Sequence, residues 1–133
     1  MQDNIKYFKK EDRFYILTDY PYDGAAINTT EVIKDYVFLD FDANSGGIYL
    51  AEIYKVTDIL EASFSHEKIK YDDDTDSLSI SLTPNNDTEG PCDLVFRTDK
   101  EVMVSLNRTE VGNLTGIDIV GFQFAINHKD FIV

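Results

Sequence analysis

Two stretches of this chain space acidic side chains as the first half of a calcium-binding loop does. Asp40, Asp42 and Asn44 stand at alternate positions, and so do Asp72, Asp74 and Asp76. The spacing then fails in both. The sixth position, which needs Gly for a sharp turn, holds Ser45 or Ser77, and the twelfth, which needs a bidentate Glu, holds Ala51 or Thr83. Asp and Asn also bond local backbone amides in turns, which accounts for both runs without an ion. No metal site is expected.

The ingredients of nucleophilic catalysis are Cys92, His66, His128 and several serines. They come without a Gly-x-Ser-x-Gly elbow and without metal-ligand spacing around the cysteine. Cys92 follows Pro91 with no basic neighbour to lower its pKa, which suits a loop residue or a small buried group better than a nucleophile. Acid pairs are abundant, and Glu52 and Asp118 hold corresponding positions. A glycosidase pair is defined by separation in space, however, and solvent-facing strand charge is the expected role. Gly46-Gly47 joins two apolar segments and opens no helix, so it is not a phosphate loop. No catalytic or cofactor-binding residue is assigned, no cofactor is expected, and the chain is read as non-enzymatic.

Charge points elsewhere. With 25 acidic against 12 basic side chains, the formal charge is -13. That field repels a phosphate backbone, attracts basic surfaces, and also keeps a small protein soluble. The function expected is an acidic protein-binding module, such as an inhibitor, immunity or counter-defence protein, docking on a basic surface of a partner. Its contact candidates are Asp72, Asp73, Asp74, Asp76, Asp87, Glu89, Asp93, Asp99 and Glu101, with Tyr20 and Tyr22 as aromatic anchors. Two alternatives stay open: a small-ligand or ion-binding β domain using a cleft between two halves, and an enzyme of unfamiliar type. One cysteine closes no intramolecular disulfide, the first residues lack a signal-peptide pattern, and no apolar run reaches spanning length. A cytoplasmic monomer or homodimer is expected, with no direct nucleic-acid binding and no membrane association.

The elements that must position these residues recur. Ile5-Lys6-Tyr7 returns as Ile69-Lys70-Tyr71, Asp12 as Asp76, and Phe14-Tyr15-Ile16 as Leu78-Ser79-Ile80 at one constant separation. Val37, Leu39 and Phe41 align with Val102, Val104 and Leu106 one residue further on. Gly46, Ile48 and Glu52-Ile53 align with Gly112, Leu114 and Asp118-Ile119 after one more. Insertions of this kind must fall in turns, because a one-residue slip within a strand exchanges its faces.

Each copy reads as strands. Leu78, Ile80 and Leu82 alternate with Ser77, Ser79 and Ser81, the period of a strand with one buried face. Tyr36 to Phe41 and Ile48 to Tyr54 form a hairpin through residues 42–47, and the stretches flanking 107–113 form its counterpart, giving four strands per copy. Asp58 with Glu61, and Val56, Ile59, Leu60 and Phe64 at helical spacing, mark a short linking helix. Phe122-Gln123-Phe124-Ala125-Ile126 alternates and reads as a strand. Residues 18–25 and 83–91, rich in Pro, Asp, Asn and Gly, read as long loops.

These residues resemble a small prokaryotic family known as domain of unknown function 2283, whose members look like a single copy of this unit. The resemblance rests on Tyr71-Asp72 and Asp76-Ser77-Leu78-Ser79-Ile80, on Thr30-Glu31-Val32, Leu39-Asp40-Phe41-Asp42, Gly46-Gly47 and Ala51-Glu52-Ile53, and on Gly116-Ile117-Asp118-Ile119. It departs at Phe8-Lys9-Lys10, where the second copy has Asp72-Asp73-Asp74. It implies a fold and no activity or site residues. The expected fold class is mainly β (β-rich α+β): two repeated antiparallel β-meander units, residues 1–66 and 67–133, in a pseudo-twofold relation within one shared core, with one short linking helix.

Overall fold

The computed structural model describes residues 4–18, 26–43, 47–82, 92–97, 101–108 and 114–133, with backbone alone at 92–97 and 108. The chain is mainly β. Strands β1 (Ile5–Phe8), β2 (Arg13–Leu17), β3 (Ile27–Ile33), β4 (Val37–Asp42) and β5 (Ile48–Tyr54) form one antiparallel sheet in the order β1-β2-β5-β4-β3. Helix α1 (Val56–Ile59) follows. Strands β6 (Ile69–Asp72), β7 (Ser77–Ser81), β8 (Cys92–Arg97), β9 (Met103–Arg108) and β10 (Leu114–Val120) form a second sheet in the order β6-β7-β10-β9-β8, and helix α2 (Phe122–Asn127) comes after it.

Alternation builds both sheets. In the first, Ile5 and Tyr7, Phe14 and Ile16, Val37 and Leu39, and Ala51 and Ile53 are buried, while their strand neighbours are half-exposed. In the second, Ile69, Leu78, Ile80, Val104, Leu106, Ile117 and Ile119 are buried in the same pattern. A fully buried aromatic or branched side chain such as Phe14 or Ile119 contributes about 2–3 kcal/mol to stability, so the two-residue period is the main determinant of the fold.

Four sequence expectations are corrected. Each sheet has five strands rather than four. The missed strand β3 is exposed from Ile27 through Glu31, so it carries no alternation to read. The meander holds only for β3-β4-β5 and β8-β9-β10, because β2 and β7 pair with β5 and β10 and the following connection passes to the far edge. Residues 122–126 form a helix, in which Phe122, Ala125 and Ile126 are buried at helical spacing while Phe124 is 41% exposed. Finally, Val37 pairs with Ile53 and Leu39 with Ala51, just as Val104 pairs with Ile119 and Leu106 with Ile117. Val37 therefore corresponds to Val104, not Val102. A slip of two residues keeps every side chain on its face, and alternation cannot detect it.

The chain divides into two compact units, Met1–Thr57 with Ala125–Val133, and Asp58–Phe124, so a linear cut at residue 66 does not hold. Backbone pairing explains the first. Tyr7 donates to the Phe131 carbonyl at 2.8 Å and accepts from the Val133 amide at 2.9 Å, so the last residues line the β1 edge as a parallel bridge.

Candidate functional site

The acidic residues fall into two groups once their partners are seen. Asp12 and Asp76 close the first hairpin of each sheet with φ of 52° and 51°, a left-handed backbone that Asp tolerates better than most residues. Both cap a following helix. Asp76 Oδ1 accepts the Tyr71 hydroxyl at 2.6 Å and the Gln123 amide at 2.7 Å, and Oδ2 accepts the Phe124 amide at 3.0 Å. Asp12 Oδ1 accepts the Tyr7 hydroxyl at 2.6 Å, and its Oδ2 accepts the Thr57 amide at 3.1 Å and the Thr57 hydroxyl at 2.6 Å. Burial, then the adjacent carboxylate, raises the pKa of both tyrosines well above the ordinary phenol value. Asp76, one of the expected contact residues, is therefore a structural cap with its oxygens engaged.

The outward faces of the sheets differ more than their topology does. Pairing across β1-β2-β5-β4 sets Phe8 beside Arg13 and Arg13 beside Tyr54, and sets Tyr15 beside Glu52 and Glu52 beside Phe38. All are half-buried. Arg13 and Glu52 form an ion pair at the centre, and the guanidinium lies 4.4 Å from the Phe8 ring centroid. Phe8 meets Tyr15 edge-on at 5.9 Å and Phe38 meets Tyr54 at 5.1 Å, with Tyr54 donating to Glu52 Oε2 at 3.3 Å. Burial works against the Arg13 charge, yet the hydrogen bond and charge of Glu52 outweigh it and hold the guanidinium above its ordinary pKa.

The equivalent rows of the second sheet run Asp72, Ser77, Val120 and Lys70, Ser79, Asp118, Ser105. No aromatic stands among them. Asp118, at the Glu52 position, accepts the Asn107 side-chain amide at 2.7 Å. The same strand order thus forms with a serine-rich face, so the aromatic cluster Phe8, Tyr15, Phe38 and Tyr54 is not a requirement of the architecture. Sequence reasoning missed this face, although the alignment of Tyr15 with Ser79 already carried its signal.

The other expected residues separate as follows. Asp72, Asp73 and Asp74 are exposed on the β6–β7 turn with carboxylate oxygens within 4.8 Å of one another. The Asp74 amide donates to Asp72 Oδ1 at 2.9 Å, the local turn bond that explains Asp72. Glu101 is exposed with φ of 63°. Asp87, Glu89, Asp99, Tyr20 and Tyr22 lie outside the described residues, as do the loops 19–25 and 83–91 and residues 44–46 and 109–113. Asp93 and Cys92 lie in β8, where only backbone is described, so Cys92 opens a strand. His66 Nδ1 accepts the Lys68 amide at 3.0 Å while its ring stacks on Phe64. His128 Nδ1 accepts the Asp130 amide at 3.1 Å.

Within the second unit, a cleft of about 560 Å³ is lined by Ile59, Phe64, His66, Lys70, Tyr71 and Asp73 among others. Its charged groups are of mixed sign, and Tyr71 already donates to Asp76. Among the described residues, no helix is long and apolar enough to cross a membrane. Compared with known proteins, the chain matches no family model, no curated protein and no solved structure.

Proposed function

We propose that this protein is a non-enzymatic binding module that docks on a basic surface of a partner protein, using the outward face of the first sheet as its contact. The observation that carries the reading is the contrast between two sheets of one strand order, one with a serine-rich outer face and one with Phe8, Tyr15, Phe38 and Tyr54 around Arg13 and Glu52. Half-exposed aromatics with an arginine are the side chains that concentrate binding energy at protein interfaces. The charge of -13 selects a basic partner and speeds encounter with it, and the exposed turn at Asp72, Asp73 and Asp74 adds to that field. An inhibitor, immunity or counter-defence role belongs to this physical class.

The test uses the second sheet's own residues. A Tyr15→Ser/Phe38→Ser variant replaces two aromatics with the side chains found at the matching positions, Ser79 and Ser105, so the sheet is expected to persist. Affinity capture from the native source, followed by titration of the recovered basic protein, is expected to show at least tenfold weaker binding by the variant. Wild-type affinity is expected to fall as salt rises. Unchanged affinity in the variant together with salt-independent binding would remove the reading.

A further inference from the structure

We infer that the free edge of β3 receives an extended, lysine- or arginine-bearing segment of the partner as an added antiparallel or parallel strand. The inference rests on the proposed basic partner and specifies how part of it is held. β3 is terminal in its sheet, and among the described residues no strand pairs with its outer side. The opposite edge is treated differently, since β1 is lined by Phe131 and Val133. One border of the sheet is closed by the chain itself, and the other, among the described residues, is left with backbone donors and acceptors available.

Natural edges of this kind are guarded by lysine, proline or a bulge at the exposed stretch. Here Ile27, Asn28, Thr29 and Thr30 contain neither lysine nor proline, and the β3–β4 irregularity falls beyond them, between Glu31 and Ile33. These residues and Glu31 are exposed in succession, so side chains on both faces of the overhanging strand stand clear of the core. Ile27, at 36% exposure, supplies an apolar contact. Five residues of strand offer about 17 Å of edge, enough for a segment of five or six residues.

Charge decides the occupant. Glu31 lies on the strand, Asp40 lies opposite Thr29 on β4, and Asp35 follows the strand. Of the cations described nearby, Lys34 follows β3 and Lys55 lies over the Tyr36 ring beyond the turn, away from the exposed stretch Ile27 to Thr30. A second copy of a chain carrying -13 would meet this edge against its own field, whereas a basic segment is drawn to it. Edge pairing is sequence-tolerant through its backbone, and the side chains at alternate positions set the preference for lysine or arginine.

The experiment titrates full-length protein with a six-residue peptide of alternating lysine and valine, followed by amide chemical shifts. A second peptide of the same charge carries N-methyl groups on four successive amides, so that each of its two edges loses two donors. Shifts are expected along Ile27 to Glu31, with about tenfold weaker binding for the methylated peptide, since two hydrogen bonds are removed. An Ile27→Lys/Thr30→Lys variant, altered at exposed positions, is expected to lose the shifts while keeping its circular dichroism spectrum. Equal binding of both peptides, shifts confined to the Asp72–Asp74 turn, or no binding would each overturn edge addition. The first two would leave the acidic docking surface standing. Concentration-dependent dimerisation abolished by the double lysine variant would also overturn it, by naming a second copy as the occupant.

Discussion

Replacing Asp76 separates three contributions that the structure assigns to one side chain. Asp76→Ala removes the cap on the Gln123 and Phe124 amides, costing about 1 kcal/mol, and leaves the Tyr71 hydroxyl with only its longer bond to Gln123 Oε1 at 3.2 Å in place of the 2.6 Å bond to a carboxylate, costing about 1 kcal/mol more. It also places a β-carbon without a polar compensator at φ 51°, for about a further 1 kcal/mol. The expected loss is about 3 kcal/mol, or a fall in Tm of about 10 °C for a chain of this size. Asp76→Gly relieves the backbone and keeps the other two losses, for about 2 kcal/mol. Asp76→Asn tolerates the left-handed region and retains one acceptor oxygen, for about 1 kcal/mol. Urea titration and thermal melting at neutral pH, followed by circular dichroism, give the order directly. If Ala proves no worse than Gly, or all three variants lie within about 0.5 kcal/mol of the parent, the cap is not what holds this hairpin to its helix.

Alkaline pH provides a second check. Tyr7 and Tyr71 have folded-state pKa values raised above 10.0, so their contribution is intact below about pH 10 and is lost as pH rises further, because the unfolded chain sheds those protons first. Absorbance titration is expected to find Tyr7 and Tyr71 ionising only as the protein unfolds, with Tyr7→Phe/Tyr71→Phe flattening the stability profile above pH 10. Gly121→Ala is expected to cost about 2 kcal/mol or more in urea titration, since its backbone sits at φ 83° and an added β-carbon would meet the Glu101 carbonyl oxygen at 2.8 Å. A double-mutant cycle on Arg13→Met and Glu52→Gln should return a coupling of about 1 kcal/mol that survives high salt, because the pair is partly buried beneath aromatic rings.

The buried faces were legible because they alternate. Leu78, Ile80, Val104 and Ile119 could be placed on the core side from the sequence with no knowledge of pairing. Strand order was not, since β5 lies between β2 and β4 through contacts distant in sequence, and either arrangement satisfies the same alternation. The aligned Tyr7 and Tyr71, with Asp12 and Asp76, were visible as a repeat. Their role was hidden because the helix amides they serve lie 45 to 48 residues further along the chain. α2 was misread since five residues beginning Phe-Gln-Phe suit either period, and the Asp76 cap settles the choice from outside the segment. The outward aromatics were visible one by one and acquired meaning only when β1, β2, β4 and β5 set them side by side.

The backbone pairing of Tyr7 with Phe131 and Val133 orders events during synthesis. β1 is translated before its edge partner, which emerges only after residues 58–124 have been made. At ribosomal rates of about 5–20 residues per second, the first unit waits several seconds with β1 unsealed while the second has all of its own strands. The unit whose strands come earlier is therefore completed later, and slowing elongation across residues 58–124 lengthens the interval during which its border stands open to chaperones.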